Sequence, residues 1–310
     1  MSDYAVILCA RYNSERLPGK ALAELAPGVP VLNQIIGRWA QSTRSPSIIV
    51  ATPDGAENDP IAQSASTCGV PCSRKEPGNP VAEMDAALRR YAPRARYVAR
   101  ALADNPLVDV ALADWRLDKL REAGADGLWY GVEIDQAGRW HGLHERITYA
   151  GTTDVWSRRA WDEIAANSSG SQLMHPGAWW WNTIRSNKKS RILPLPRDEY
   201  LSLLRTELDE AADLAVLRAV WAAWAAAGYS SPLVDTLWAL RYLHAHPEVA
   251  ALNRGVALKT QTAVGERHTR RPRYCAGCRA EMGQISPNGL EDRCARCGGG
   301  MTYYHQKPKR

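Results

Sequence analysis

Val6-Ile7-Leu8-Cys9-Ala10-Arg11-Tyr12-Asn13-Ser14-Glu15-Arg16-Leu17-Pro18-Gly19-Lys20 is the stretch on which the fold turns. An apolar run of strand length, Ala5–Ala10, breaks into a loop carrying Arg11, Ser14, Arg16, Gly19 and Lys20. The apolar positions Leu22, Leu25, Val29 and Val31 follow. A strand that runs into a basic, glycine-containing loop sets backbone N–H groups and cations around phosphates. On that reading Arg11, Arg16 and Lys20 face a triphosphate and its leaving group, where neutralising charge lowers the barrier most. The plainer reading of the same spacing is a solvated basic surface loop.

Working outward, apolar runs alternate with helical spacing. Ser47–Thr52 is a β-branched run suited to a buried parallel strand, and Val70–Cys72 and Tyr97–Leu102 are shorter strand candidates. Helices are expected over Leu32–Arg38, Asn58–Cys68 and Val81–Tyr91. The alternation implies βαβ units and a mainly parallel sheet covered by helices on both faces. Ligands of such sheets lie at the carboxyl ends of strands. Leu128–Val132 and Tyr149–Ser157 read as further strands, and Ala211–Ala226 and Ser231–Asn253 as helices.

The loop after Leu102 also falls at a carboxyl end. It reads Ala103-Asp104-Asn105-Pro106-Leu107-Val108-Asp109. Asp104 there is placed either to hold Mg²⁺ against nucleotide phosphates or to cap the next helix.

Length allows one large α/β domain and a small appendage within 310 residues. No run of 18 apolar residues suggests a membrane span, and Met-Ser-Asp-Tyr does not open as a signal peptide does. The expected compartment is therefore the cytoplasm, with thiols reduced. Charge is uneven: the chain carries +6, but residues 254–310 hold twelve Lys/Arg against four Asp/Glu. A basic tail of this kind points to a polyanion, nucleic acid first among them.

The motif A-R-x-x-S-x-R-L-P-G-K resembles the signature loop of the cytidylyltransferases that activate sugars as CMP-sugars, including the 3-deoxy-manno-octulosonate and acylneuraminate enzymes. The branch most like it is that of spore-coat polysaccharide cytidylyltransferases. The resemblance implies a nucleotide-diphospho-sugar transferase-like, GT-A-type fold. It also implies nucleotide binding by Ala10, Arg11, Ser14, Gly19, Lys20 and Arg74, with Arg11, Arg16 and Lys20 at the reacting phosphates. The family's G-D-x-P-L-[IV]-D segment aligns with residues 103–109, with Ala103 in place of the usual Gly, and gives Asp104 the metal role. Arg205-Thr206-Glu207-Leu208-Asp209-Glu210-Ala211-Ala212-Asp213-Leu214 resembles x-V-D-T-x-x-D-L. That match assigns Asp209 as the second Mg²⁺ ligand and leaves Asp213, in the first helical turn, as a structural cap.

Three further matches are weaker. Gly151–Trp161 resembles G-x-x-x-[DE]-V-x-S-R-x-x-L, so Asp154 is read either as an acceptor-side contact or as a satisfied strand-edge carboxylate. His175 stands where relatives have a Glu-His close to the acceptor, though a lone histidine also reads as structural, and Trp179, in the run Trp179-Trp180-Trp181, is a candidate to stack on the acceptor. Three adjacent tryptophans cannot all enter one core, so one of them lines a pocket or the surface. Leu243–Asn253 resembles the closing L-x-x-x-P-E-x-x-x-L-N, which extends the likeness over residues 4–254. The departure lies at Arg74–Tyr91, where the family's Asp-Val pair is Asn79-Pro80 and a later Arg is Glu83.

Beyond a basic linker (255–273), Cys275, Cys278, Cys294 and Cys297 are spaced C-x2-C-x15-C-x2-C. Two tight pairs converging on one Zn²⁺ make a closed, structural site, and so small a module should fold only with its metal. Its basic and tyrosine-bearing flanks fit nucleic-acid docking or, alternatively, a protein-binding or stabilising appendage. The organisation expected is thus a catalytic domain (1–254), a linker (255–273) and a zinc ribbon (274–310). The leading expectation is a Mg²⁺-dependent nucleotidyltransferase that joins a nucleoside triphosphate to a sugar-like acceptor. The alternative is a glycosyl- or group-transferring enzyme on DNA or RNA using a nucleotide-sugar.

Overall fold

The computed structural model describes residues 2–76, 78–127, 132–134, 140–142, 153–174, 176–177, 179–180, 204–256, 274–275 and 303–304, with the backbone alone at 132–134, 140–142, 274–275 and 303–304. In chain order the elements are β1 (Tyr4–Cys9), β2 (Glu24–Ala26), β3 (Val29–Pro30), α1 (Val31–Trp39), β4 (Ser47–Pro53), α2 (Asp59–Thr67), β5 (Cys72–Lys75), α3 (Pro80–Tyr91), β6 (Tyr97–Leu102) and α4 (Val110–Ala123). There follow β7 (Val132–Ile134), β8 (Trp140–Gly142), β9 (Asp154–Ser157), α5 (Arg158–Asn167), α6 (Ala211–Ala226), α7 (Thr236–Ala245) and α8 (Pro247–Ala250). Two short strands, β10 (Tyr274–Cys275) and β11 (Tyr303–Tyr304), pair antiparallel.

The main sheet has the order β5-β4-β1-β6-β9, parallel except for β9, which runs antiparallel to β6. This is the mainly parallel α/β architecture expected. β1 is central, and Tyr4, Ala5, Val6, Ile7 and Leu8 are all fully buried because both faces of the strand are covered. One core, containing Val6, Leu8, Leu32, Ile35, Trp39, Leu117, Leu217 and Leu240, packs α1, α4, α6 and α7 on one face. The other, containing Ile7, Met84, Leu88, Val98, Trp156 and Trp161, packs α3 and α5 on the opposite face.

Three boundaries differ from the sequence expectation. The third parallel strand is Cys72–Lys75 rather than Val70–Cys72, because β4 pairs Val50 with Cys72 and Pro53 with Lys75. An edge strand needs no continuous apolar run, and Arg74 and Lys75 are exposed there. Of the strand expected over Tyr149–Ser157, the described part is Asp154–Ser157. The helix expected over Ser231–Asn253 starts only at Thr236, where Asp235 accepts the Trp238 N–H, and breaks at His246-Pro247 because proline lacks the N–H that the helix requires.

The Asn79-Pro80 departure has a local explanation. Asn79 caps α3 by accepting the Ala82 N–H at 3.0 Å, and Pro80 opens the first turn, where its missing N–H costs nothing. Arg38, buried on α1, donates to the carbonyls of Pro106 (2.6 Å) and Val234 and to the Thr236 hydroxyl (2.8 Å). It therefore ties the loop after β6 to the start of α7.

Candidate active site

The signature loop leaves β1 at its carboxyl end and is folded around one carbonyl. Tyr12 O accepts the amides of both Ser14 and Gly19 at 2.8 Å, and the Tyr12 amide donates to Asn58 Oδ1 at 2.9 Å. Gly19 adopts φ 73°, and a Cβ there would press on the Tyr12 ring at 3.3 Å. Glycine therefore satisfies two demands at the turn that launches Lys20.

Asp104 follows β6. Of the two readings open from sequence, the capping one belongs to another residue. Asp109 caps α4, accepting the Leu112 N–H at 2.9 Å. The Asp104 carbonyl accepts the Leu208 N–H at 2.8 Å, and this bond brings the segment before α6 alongside the loop. From Leu204 to Asp209 the residues alternate buried and half-buried. Arg205, Glu207 and Asp209 fall on the half-buried side. The segment has strand-like alternation without being a strand.

Asp104 and Asp209, 105 positions apart, meet at Lys20. The Lys20 ammonium lies 2.7 Å from Asp104 Oδ2 and 3.0 Å from Asp209 Oδ1. Arg16 donates to Asp209 Oδ2 at 2.7 Å and to Glu210 Oε1 at 2.9 Å. Arg205 also reaches Asp209 Oδ2, at 2.9 Å. Burial lowers the Lys20 pKa, yet Asp104 and Asp209 outweigh it and hold the ammonium above its usual range. Burial likewise opposes ionisation of Asp209, but Lys20, Arg205 and Arg16 keep its carboxyl below the usual range.

Two residues that sequence reading did not assign belong to this neighbourhood. Glu207 is pushed up to about 8, by burial first and then by the Asp104 and Asp209 charges, with Arg205 and Lys20 opposing. Its signal was present in the sequence: it stands two before Asp209, on the same side of an alternating segment. Glu83, 6% exposed on the first turn of α3, makes no side-chain hydrogen bond among the described residues. Burial raises its pKa, and Arg11 on the signature loop opposes that shift.

The remaining sequence candidates disperse. Arg11 is exposed. Arg74 donates to Asp59 Oδ1 and the Gly55 carbonyl, both at 2.5 Å, and pairs with Asp54 at 3.5 Å, bracing the turn between β4 and α2. Asp154 opens β9 in register with Arg100, and Trp179 packs against the core on the α3–α5 face. Trp180 is buried there too, and Trp181 lies outside the described residues. His175, Cys278, Cys294 and Cys297 lie outside the described residues, and Cys275 is described only as part of β10. The thiols of Cys9 and Cys72 are pushed up to about 11, chiefly by burial, and are protonated at neutral pH.

The profile of the cytidylyltransferase family matches residues 5–169. The chain belongs to the cytidylyltransferase family. Among curated cytidylyltransferases, a 3-deoxy-manno-octulosonate cytidylyltransferase of Anaeromyxobacter dehalogenans is 35% identical over 113 residues, covering 35% of this chain and 43% of that one. One from Nitratidesulfovibrio vulgaris is 32% identical over 111 residues, covering 35% and 42%. The chain thus spans less than half the length of these relatives. Among solved structures, a cytidylyltransferase of Leptospira borgpetersenii superposes with a TM-score of 0.65 at 17% identity, over 81% of this chain and 97% of that one. A CMP:2-keto-3-deoxy-manno-octonic acid synthetase complexed with CTP superposes at 0.52 with 14% identity, over 72% and 99%. At these identities the superpositions establish the cytidylyltransferase fold. Among the described residues, no helix is long and apolar enough to cross a membrane.

Whether the acids suit a metal is testable on the site itself. Asp104 Oδ1 is buried and has no hydrogen-bond donor. A carboxylate oxygen left over in this way is what a hard divalent cation uses. No three His, Cys, Asp or Glu side chains converge on a metal position among the described residues. Asp104 and Asp209 fit a cation that takes its remaining ligands from phosphate oxygens and water.

Proposed function

We propose that this chain transfers the cytidylyl group of CTP to an oxygen of a sugar acid or similar small acceptor, releasing pyrophosphate. The acceptor oxygen bonds to the α-phosphorus as the bond to the bridging oxygen of pyrophosphate breaks. The observation that carries the reading is the meeting of Asp104 and Asp209 on Lys20 beneath the signature loop. It unites three distant stretches that a surface loop would have no reason to unite.

In this reading Arg11, Arg16 and Lys20 balance the triphosphate, and the backbone of Ala10, Ser14 and Gly19 shapes the loop around it. Asp104 and Asp209 would hold Mg²⁺, which neutralises charge on the phosphates as pyrophosphate leaves. Glu83 supports a donor base with an amino group, since a carboxylate accepts from the cytosine N4 amine. The sequence resemblance supports Asp154 and His175 as acceptor-side residues, and an aromatic face such as that of Trp179 suits a sugar ring. The test is pyrophosphate release from CTP, UTP, ATP and GTP with a panel of sugar acids. Turnover with CTP and a sugar acid supports the reading, and no turnover with any small acceptor sinks it.

The cysteine spacing supports a structural Zn²⁺ held by Cys275, Cys278, Cys294 and Cys297. The charge of residues 254–310 supports a second reading, in which that module brings a group-transferring enzyme to DNA or RNA. Salt-sensitive DNA binding that disappears on deleting residues 255–310, together with turnover only on a nucleic acid, would favour it.

A further inference from the structure

Lys20 is drawn into the acidic site instead of standing clear to meet a phosphate. Its ammonium touches one oxygen of each aspartate, at 2.7 and 3.0 Å, with its side chain only 13% exposed. A point charge placed between two carboxylates on separate segments occupies the seat that a bridging divalent cation would take. Two neighbouring arginines pair differently in the contacts described. Arg16 touches Asp209 and Glu210, and Arg205 touches Asp209 and Asp213. Lys20 alone among these three spans Asp104 and Asp209 in the contacts described.

We infer that Lys20 is a tethered counterion that keeps the divalent cation out of the site until a triphosphate draws it away. The inference rests on the metal-assisted reading proposed above. Without Lys20 or a metal, two carboxylates would face each other in a half-buried site, which is electrostatically unfavourable. With Lys20 seated, a metal must displace an ion pair already in good geometry. The γ- and β-phosphates of a nucleotide offer the ammonium an alternative partner. A four-carbon stem with a rotating ammonium reaches it by side-chain torsion alone, with the Gly19 turn unchanged. Metal and nucleotide then load together, and by linkage each raises the affinity of the other.

The experiment is Mn²⁺ binding to the full chain, read from the electron paramagnetic resonance of free Mn²⁺, with and without CTP and with no acceptor present, the Mn²⁺ held by CTP alone being subtracted from a protein-free titration. Wild type should bind Mn²⁺ weakly alone and much more tightly with CTP. Lys20→Met should bind Mn²⁺ alone at least about tenfold more tightly than wild type, and CTP should add correspondingly less. Arg16→Met, which leaves the bridge intact, should change the CTP-free affinity less than Lys20→Met does. Equal or weaker CTP-free binding by Lys20→Met overturns the inference. Wild type that binds no Mn²⁺ even with CTP overturns the metal-assisted reading itself, so the two failures are separable. Should Lys20→Met not fold, the wild type still decides the matter. Acetylation of Lys20, mapped by mass spectrometry, should rise when Mn²⁺ saturates the nucleotide-free protein, and an unchanged rate overturns the inference.

Discussion

Asp213 holds Asp209 in place through the backbone: its Oδ2 accepts the Asp209 N–H at 2.9 Å. The same oxygen accepts the Glu210 N–H, and Arg205 and the Asn253 amide close the network from the other side. Asp213 is 1% exposed, four residues beyond the carboxylate whose main chain it fixes. Asp213→Ala leaves Arg205 without its main buried partner and strips two amides of their acceptor. Urea unfolding should show a loss of about 3 kcal/mol or more. A loss below about 1 kcal/mol would show that the network is not a structural support.

Asp209→Asn and Asp104→Asn each remove one charge from the pair that Lys20 bridges. Both variants keep the side-chain shape, but Asp209→Asn gives up three ion pairs, so its unfolding midpoint should fall more than that of Asp104→Asn, while pyrophosphate release falls by about a thousandfold or more in each. Either variant retaining wild-type turnover would remove that residue from the chemistry.

Glu207 gives a pH signature whose sign is opposite to the usual carboxylate case. Its folded pKa, about 8, lies above the ordinary value near 4.5. Between those values the folded protein keeps a proton that the unfolded chain has released, so stability falls as pH rises through the interval. Glu207→Gln should flatten that slope, gaining on the order of 2 kcal/mol over wild type at pH 9 and close to nothing at pH 4. Urea melts of the metal-free protein at the two pH values measure it, and a parallel pH profile in the variant would refute the assignment.

Glu83→Gln addresses the donor base. A glutamine both accepts and donates, so it no longer distinguishes an amino group from a carbonyl at the base edge. The ratio of kcat/KM for CTP over UTP should fall by about tenfold or more. If the ratio stays at the wild-type value, the Glu83 carboxyl does not read the base.

The cysteine spacing predicts one zinc per chain by metal analysis, lost in Cys294→Ser, with the unfolding of residues 1–254 unaffected. Absence of zinc from protein purified without chelators would exclude the ribbon.

The sequence alone determined the sheet and the elements that cover it. β1, β4 and β6 are short apolar runs between helical stretches, and burial on both faces writes itself as continuous hydrophobicity that is legible without a structure. The helix over Ala211–Ala226 and the strand over Tyr97–Leu102 fall at the residues the pattern gave. The loop motif likewise named the cations, and two motifs far apart named Asp104 and Asp209. Tertiary structure decided how these groups are spent. That Lys20 turns to acids, that Asp109 rather than Asp104 caps α4, and that burial raises the pKa of Glu207 and Glu83 all depend on distances between segments remote along the chain. A residue's type and local period fix what it can donate or accept. Which partner it meets, and with what pKa, is set by the packing that brings remote segments within a few ångströms, because electrostatic and desolvation energies depend on separation in space.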